Sequence, residues 1–200
     1  MIKAILFDLG GVVLWPPNFD VIRKEMSKIL GLPVFVIKPV VKKYWDSWKK
    51  GEINEMQFLQ GILSDLNLSK GYIPNLKRIY RDIVIVRKSV LKIICDLRKN
   101  YKVGVLSNHS KEWIEFIEKK YKLSKNFDDF YISYMARSAK PDCKYYYSVL
   151  KRMKVKAKEC VLIDDKLENL TVARKIGMKG VHYRNAEQMK KTLKKQGVVI

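Results

Sequence analysis

Short, continuous apolar runs punctuate this chain, and between them apolar positions recur every three or four residues. The runs are Ala4–Phe7, Val103–Leu106, Val161–Ile163, Gly180–Tyr183 and a weaker one at Phe130–Ser133. Runs without polar alternation predict strands buried on both faces, as in a parallel sheet. Ser89–Asn100 carries Val90, Leu91, Ile94 and Leu97 at helical spacing. Lys111–Tyr121 repeats that pattern with Ile114, Phe116 and Ile117, and Tyr145–Met153 and Asn169–Ile176 flank the fourth run. Gly177 is placed to end the last of these helices. Strand and helix alternate, so the expected class is α/β with a Rossmann-like, doubly wound parallel sheet.

Residues 15–86 break this rhythm, with no convincing strand run among them. Asn18 is expected to cap a helix that aligns Phe19, Ile22, Met26 and Ile29. Pro39 is expected in the first turn of a second helix running to Gly51. Asn54 should cap a third, through Phe58, Leu59, Ile62 and Leu66, and Pro74 can open a fourth. The expected organisation is a core of residues 1–14 and 87–200, with residues 15–86 as a small helical insertion, because one strand precedes it. Trp45 and Trp48 share a helix face and are expected to pack the insertion on the core. Of Tyr145, Tyr146 and Tyr147, at least one ring should be exposed.

Composition adds three constraints. With 48% apolar residues in 200, the chain can bury a core and does not read as disordered. Its 41 Lys and Arg against 20 Asp and Glu give a net charge of +21, which predicts attraction to anions without saying which. Phosphorylated metabolites and non-specific nucleic-acid binding both fit this excess, although the basic residues are dispersed and form no nucleic-acid motif. Three cysteines with no close pair exclude a disulfide scaffold or a Cys-rich zinc site. Cys95 and Cys160 lie in apolar runs and are expected to be buried. Asp8 interrupts the apolar N-terminus, and no run approaches the length of a membrane span. A cytoplasmic protein that does not enter a membrane is the expectation.

The strand ends carry the chemistry, since open parallel sheets bind ligands beyond their carboxyl edge. The first strand ends in Asp8-Leu9-Gly10-Gly11, the second in Ser107-Asn108 and the fourth in Asp164-Asp165. Lys140-Pro141-Asp142 lies in the loop before the helix leading to the fourth strand. Carboxylates gathered at one point repel one another unless a cation lies between them. Oxygen ligands without Cys or His favour Mg²⁺, which shares its sites with phosphate oxygens. A carboxylate at a rigid strand tip can act as a nucleophile. The constellation describes phosphoryl transfer through an aspartyl-phosphate.

These four segments, in this order, resemble the motifs of the haloacid dehalogenase-like (HAD) hydrolase superfamily over about residues 1–183. The resemblance implies that Asp8 is the nucleophile and a Mg²⁺ ligand. It makes the Gly10 carbonyl and Asp165 the other protein ligands, with Asp164 and Asn169 behind them. Ser107 and Asn108 would bind and orient the phosphoryl group, and Lys140 would neutralise charge on phosphate and on Asp8. The insertion would be the small helical cap that selects substrate, and Lys50-Gly51-Glu52-Ile53 resembles a turn of such caps.

One position departs from the pattern. Phosphatases of the family usually carry a second Asp, two residues after the nucleophile, as acid and base; here it is Gly10. His109 could replace that acid, although a solvated loop histidine is the commoner outcome, and His182 reads as structural. The leading expectation is a Mg²⁺-dependent phosphatase of small phosphorylated metabolites, slow or restricted to good leaving groups. The alternative is a catalytically weak binder of phosphorylated ligands or nucleic acid. A haloacid dehalogenase is a distant third, since metal-free halide displacement leaves the Asp164-Asp165 pair unexplained.

Overall fold

The computed structural model describes residues 1–16 and 19–200. The Asn18 cap therefore lies outside the described residues. Five strands form one parallel sheet: β1 (Ala4–Phe7), β4 (Lys102–Ser107), β5 (Asp129–Ile132), β6 (Cys160–Asp164) and β7 (Lys179–His182), in the order β5-β4-β1-β6-β7. The order reverses at β1, which pairs with β4 on one side and β6 on the other. This is the doubly wound topology expected from the alternation. The third predicted strand, Phe130–Ser133, ends one residue early: Ser133 lies outside β5 and opens a short helix, α7 (Ser133–Ala136).

Alternate residues of each strand feed opposite faces, as a two-residue period requires. Ile5, Phe7, Val103, Val105, Val161 and Ile163 pack with α5 (Lys88–Leu97), α6 (Lys111–Tyr121) and α10 (Ala186–Lys195). Ala4, Leu6, Leu106 and Leu162 face α8 (Cys143–Met153) and α9 (Leu167–Lys175). Tyr145 and Tyr146 are buried in that second layer, whereas Tyr147 is exposed. Cys160 is buried as expected, but Cys95 is exposed. On α5 the inward face belongs to Val90, Ile93, Ile94 and Leu97, which turns Cys95 outward.

Four helices separate β1 from the rest of the sheet: α1 (Phe19–Leu30), α2 (Val34–Lys49), α3 (Glu55–Asp65) and α4 (Ile73–Ile83). Asn54 caps α3 through a capping box with Gln57, and Pro74 stands in the first turn of α4. Pro39 does not open α2. That helix starts earlier, after Pro33, and Pro39 lies within it at an exposed position, where an interrupted backbone bond is least costly. A two-residue antiparallel ribbon, β2 (Leu14–Trp15) with β3 (Ile85–Val86), closes the base of the four helices. It is too short for any periodicity to announce.

Buried polar bonds join these helices to the core. The Trp48 indole N–H and the Glu55 backbone N–H both donate to the carboxylate of Glu112 on α6, at 3.0 and 2.9 Å. Glu55 accepts from Trp113 at 3.2 Å and is held by both terminal nitrogens of Arg81. The Tyr80 ring lies flat on Trp113, centroids 3.8 Å apart, and its hydroxyl meets His109 Nε2 at 3.0 Å. His109 is thus interior rather than solvated, and burial pushes its pKa down from 6.5 to about 3.

Two outcomes follow. Asn54→Ala should cost about 1 kcal/mol in urea unfolding, the usual loss for an N-cap. His109 should also make the fold acid-sensitive. The unfolded chain gains a proton near pH 6.5 and the folded one only near 3, so stability falls as pH drops through that window. His109→Gln should flatten the slope of unfolding free energy against pH between those limits, and an unchanged slope would contradict the assignment.

Candidate active site

The carboxyl edge of the sheet collects the expected segments around β1. Asp8 follows β1, Ser107 ends β4 and Asp164 ends β6. The Asp8 N–H donates to the Ile163 carbonyl at 2.9 Å, which continues the ladder one residue beyond the strand. Asp8, Asp164 and Asp165 each offer a carboxylate oxygen within 4.8 Å of the others.

Asp8 is buried, and its known partners all bond one oxygen. Oδ1 accepts from the Leu9 N–H at 2.7 Å, from Ser107 Oγ at 2.7 Å and from Lys140 Nζ at 3.2 Å. Among the described residues Oδ2 takes no bond. Burial raises the Asp8 pKa; the charge on Lys140 opposes the rise and that on Asp164 adds to it. Ser107 does not cap α6, whose N-cap residue is Ser110. Its hydroxyl is committed to Asp8.

Lys140 is one of many lysines, yet it is buried between two carboxylates, 2.6 Å from Asp164 and 3.2 Å from Asp8. Burial disfavours its charge, but Asp164 and Asp8 outweigh this and hold its pKa above the ordinary lysine value. Asn108 positions it. The Asn108 amide donates to the Lys140 carbonyl at 2.7 Å and its oxygen accepts from the Lys140 N–H at 2.8 Å. This arrangement makes Asn108 a brace for the lysine.

The two adjacent aspartates differ. Asp164 is fully buried and saturated: it accepts from Lys140, from the Lys166 N–H at 2.9 Å and twice from the Asn169 amide at 3.0 Å. Asp165 is partly exposed, and its Oδ1 is a buried atom without a partner. Burial, with the charges of Asp8 and Asp164, pushes its pKa up to about 7. Neither aspartate is the N-cap residue of α9, which is Lys166. His182 takes the structural part expected of it, its Nε2 lying 3.0 Å from the Asp165 carbonyl.

Glycines set the clearances. Gly11 has a φ of +84°, and a Cβ there would stand 2.3 Å from the Asp165 carboxylate, so only glycine fits. At Gly10 a Cβ would meet nothing within 4 Å, which leaves room for a side chain that the family pattern has and this chain lacks. His109 does not fill the vacant role. It is neutral at pH 7, with Nε2 engaged by Tyr80, and has no proton to give as an imidazolium. Sequence reasoning missed Lys166, whose charge lowers the pKa of both Asp8 and Asp165. Its place directly after the aspartate pair was the available signal.

Solved structures share this arrangement of elements. A HAD family enzyme from Bacteroides thetaiotaomicron superposes with a TM-score of 0.81 at 21% identity, over 92% of this chain and 94% of that one. The same enzyme in complex with magnesium and inorganic phosphate gives 0.77 at 22% identity, over 92% and 95%. By sequence the chain is similar to a sesquiterpene phosphatase of Aspergillus oryzae, 26% identical over 90% of this chain and 89% of the relative. It is also 24% identical to a chloroplast flavin mononucleotide hydrolase of Arabidopsis thaliana, over 98% and 78%. The family model of haloacid dehalogenase-like hydrolases matches residues 2–177. The chain therefore belongs to the haloacid dehalogenase-like hydrolases.

Proposed function

We propose that the protein is a Mg²⁺-dependent phosphatase acting on small organic phosphates through a phospho-Asp8 intermediate. One observation carries this reading. Three donors occupy Asp8 Oδ1 and leave Oδ2 free, beside an Asp165 oxygen that is buried without a partner. The relatives named for phosphate-ester hydrolysis and the magnesium and phosphate complex of the Bacteroides enzyme support it.

The donor set fits a hard divalent cation. Three carboxylates within 4.8 Å and an orphaned oxygen on Asp165 are a net electrostatic cost that such an ion removes. Asp8, the Gly10 carbonyl and Asp165 would hold Mg²⁺, with Asp164 and Asn169 fixing the loop behind them. When bound, the ion offsets the negative charge of the phosphoryl oxygens against the site carboxylates.

Asp8 Oδ2 attacks phosphorus, the bond to the leaving oxygen breaks, and water then hydrolyses the acyl phosphate on Asp8. Lys140 and the Ser107 hydroxyl stabilise the developing charge, with Asn108 holding the lysine in place. The four helices α1–α4 act as the cap that selects the organic portion. Among the described residues, neither Gly10, which has no side chain, nor His109, which is neutral, replaces the missing acid. The leaving oxygen must then depart with little protonation, which favours phenolic, anomeric and acyl phosphates over alkyl esters. The same absence favours a second reading, a slow or inactive binder of phosphorylated ligands, its +21 charge extending to nucleic acid.

Phosphate release from 4-nitrophenyl phosphate separates the two readings. The wild type with Mg²⁺ should turn over, excess chelator should stop it, and Asp8→Asn should lower the rate by about three orders of magnitude or more. Release untouched by Asp8→Asn would reject the mechanism, and no release with Mg²⁺ would favour the binder. Ser107→Ala should lose about 10²-fold, the usual worth of one donor to a developing charge. Gly10→Asp should narrow the gap between alkyl and nitrophenyl phosphates, by up to about 10²-fold; equal rates on both esters in the wild type would contradict the leaving-group argument.

A further inference from the structure

Three arginines of the described residues are half-buried: Arg23, Arg81 and Arg87. The first two have carboxylate partners, Arg23 with Asp20 and Arg81 with Glu55. Arg87 has none. Among the described residues no carboxylate or carbonyl accepts from its guanidinium, and its Nε is a buried atom without a hydrogen-bond partner. What it has instead is two rings. Its guanidinium carbon stands 5.1 Å from the centre of Trp15 and 6.0 Å from that of Tyr183.

Such ring contacts return less than an unsatisfied charged donor loses when it is taken from water. A brace for two rings would need no charge, and an aliphatic side chain would serve without the orphaned nitrogen. The guanidinium fork does match an oxyanion, which it can bind through two parallel bonds. Arg87 is itself only half-buried and Nε is its one buried nitrogen without a partner, so the terminal nitrogens of the fork remain reachable.

The place matters as much as the chemistry. The Arg87 N–H donates to the Val13 carbonyl at 2.9 Å, at the end of the loop that starts with Asp8. Trp15 follows Leu14, whose carbonyl accepts from Gly11, the glycine against Asp165. The Tyr183 N–H donates to the Asp164 carbonyl at 3.0 Å. All three residues are therefore tied by main-chain bonds to the segments that bear the active-site carboxylates. Arg87 also marks the start of α5, a ten-residue helix that no side chain caps.

We propose that Arg87, clamped between Trp15 and Tyr183, is the receptor of a second oxyanion, a phosphate or carboxylate bound beside the catalytic carboxylates and distinct from the phosphoryl group on Asp8. Two sources supply that chemistry: a second anionic group of the substrate, or free inorganic phosphate.

The test titrates inorganic phosphate into the whole protein in chelator by calorimetry, where no turnover occurs and the result does not depend on the phosphatase reading. Wild type should bind phosphate, and Arg87→Gln should weaken that binding about tenfold or more, the worth of a charge-assisted pair. Arg87→Lys should also weaken it, since an ammonium cannot form the fork, and it carries the test if the glutamine variant fails to fold. Lys88→Gln removes an equal charge next door and should leave the affinity within about twofold. Equal affinity in wild type and Arg87→Gln, or equal weakening by Lys88→Gln, would overturn the proposal. Steady-state kinetics with Mg²⁺ then assigns the source. If the anion belongs to the substrate, Arg87→Gln raises KM for phosphates with a second anionic group and leaves that for 4-nitrophenyl phosphate unchanged. If it is free phosphate, neither KM moves while the affinity measured in chelator still falls.

Discussion

A single buried ammonium governs this edge of the molecule. Lys140 stands between Asp8 and Asp164, screened from water, and among the described residues it is the one buried lysine. An isolated lysine in such a place would lose its proton, because burial disfavours charge. The carboxylates reverse that outcome, and the charge of the lysine in turn opposes the rise that burial imposes on the Asp8 pKa. Removing either partner would strand the other, a loss of about 3–5 kcal/mol for a buried pair. The pair therefore demands that the loop before α8 reach across the sheet to the tips of β1 and β6.

Much of that convergence was legible in the linear pattern. Apolar runs ending in Asp8, Ser107 and Asp164 marked the strands and the tips together, because a strand buried on both faces can admit polar residues only where it ends. Capping at Asn54 was readable for a similar reason: its box closes within four residues. The misreadings concern longer spans. Pro39 was assigned to a first turn because nothing local shows that Pro33 already starts the helix. Cys95 was assigned to the interior because an apolar run does not say which side of α5 faces the sheet. His109 reads as a loop residue until Tyr80, 29 positions earlier, is folded onto it. The way Asn108 orients the site is not local either, since its amide binds the main chain of a residue 32 positions away.

The junction between the four helices and the core has its own character. Glu112, on the core side, takes two donors from the four helices, Glu55 takes donors from both sides, and a stacked tyrosine and tryptophan fill the space between. Hydrogen bonds of this kind are directional, so they hold the helices in one orientation more strictly than apolar contact alone would. The Ser133 hydroxyl adds a further tie, donating to the Lys49 carbonyl at the end of α2.

The bonds among the active-site segments close a ring through the Ser107–Asn108 peptide, from Ser107 to Asp8, Asp8 to Lys140 and Lys140 back to Asn108, with Asp164 and Asn169 tied on at Lys140. The side-chain links of the ring join stretches that are far apart in the chain, whereas Asn169 reaches Asp164 across five residues. Injuries to such a ring overlap instead of adding up, since the first break already frees what the second would have released. Gly10 touches none of the links, and a Cβ there would meet nothing within 4 Å, so a side chain can be added at that position without loosening the ring.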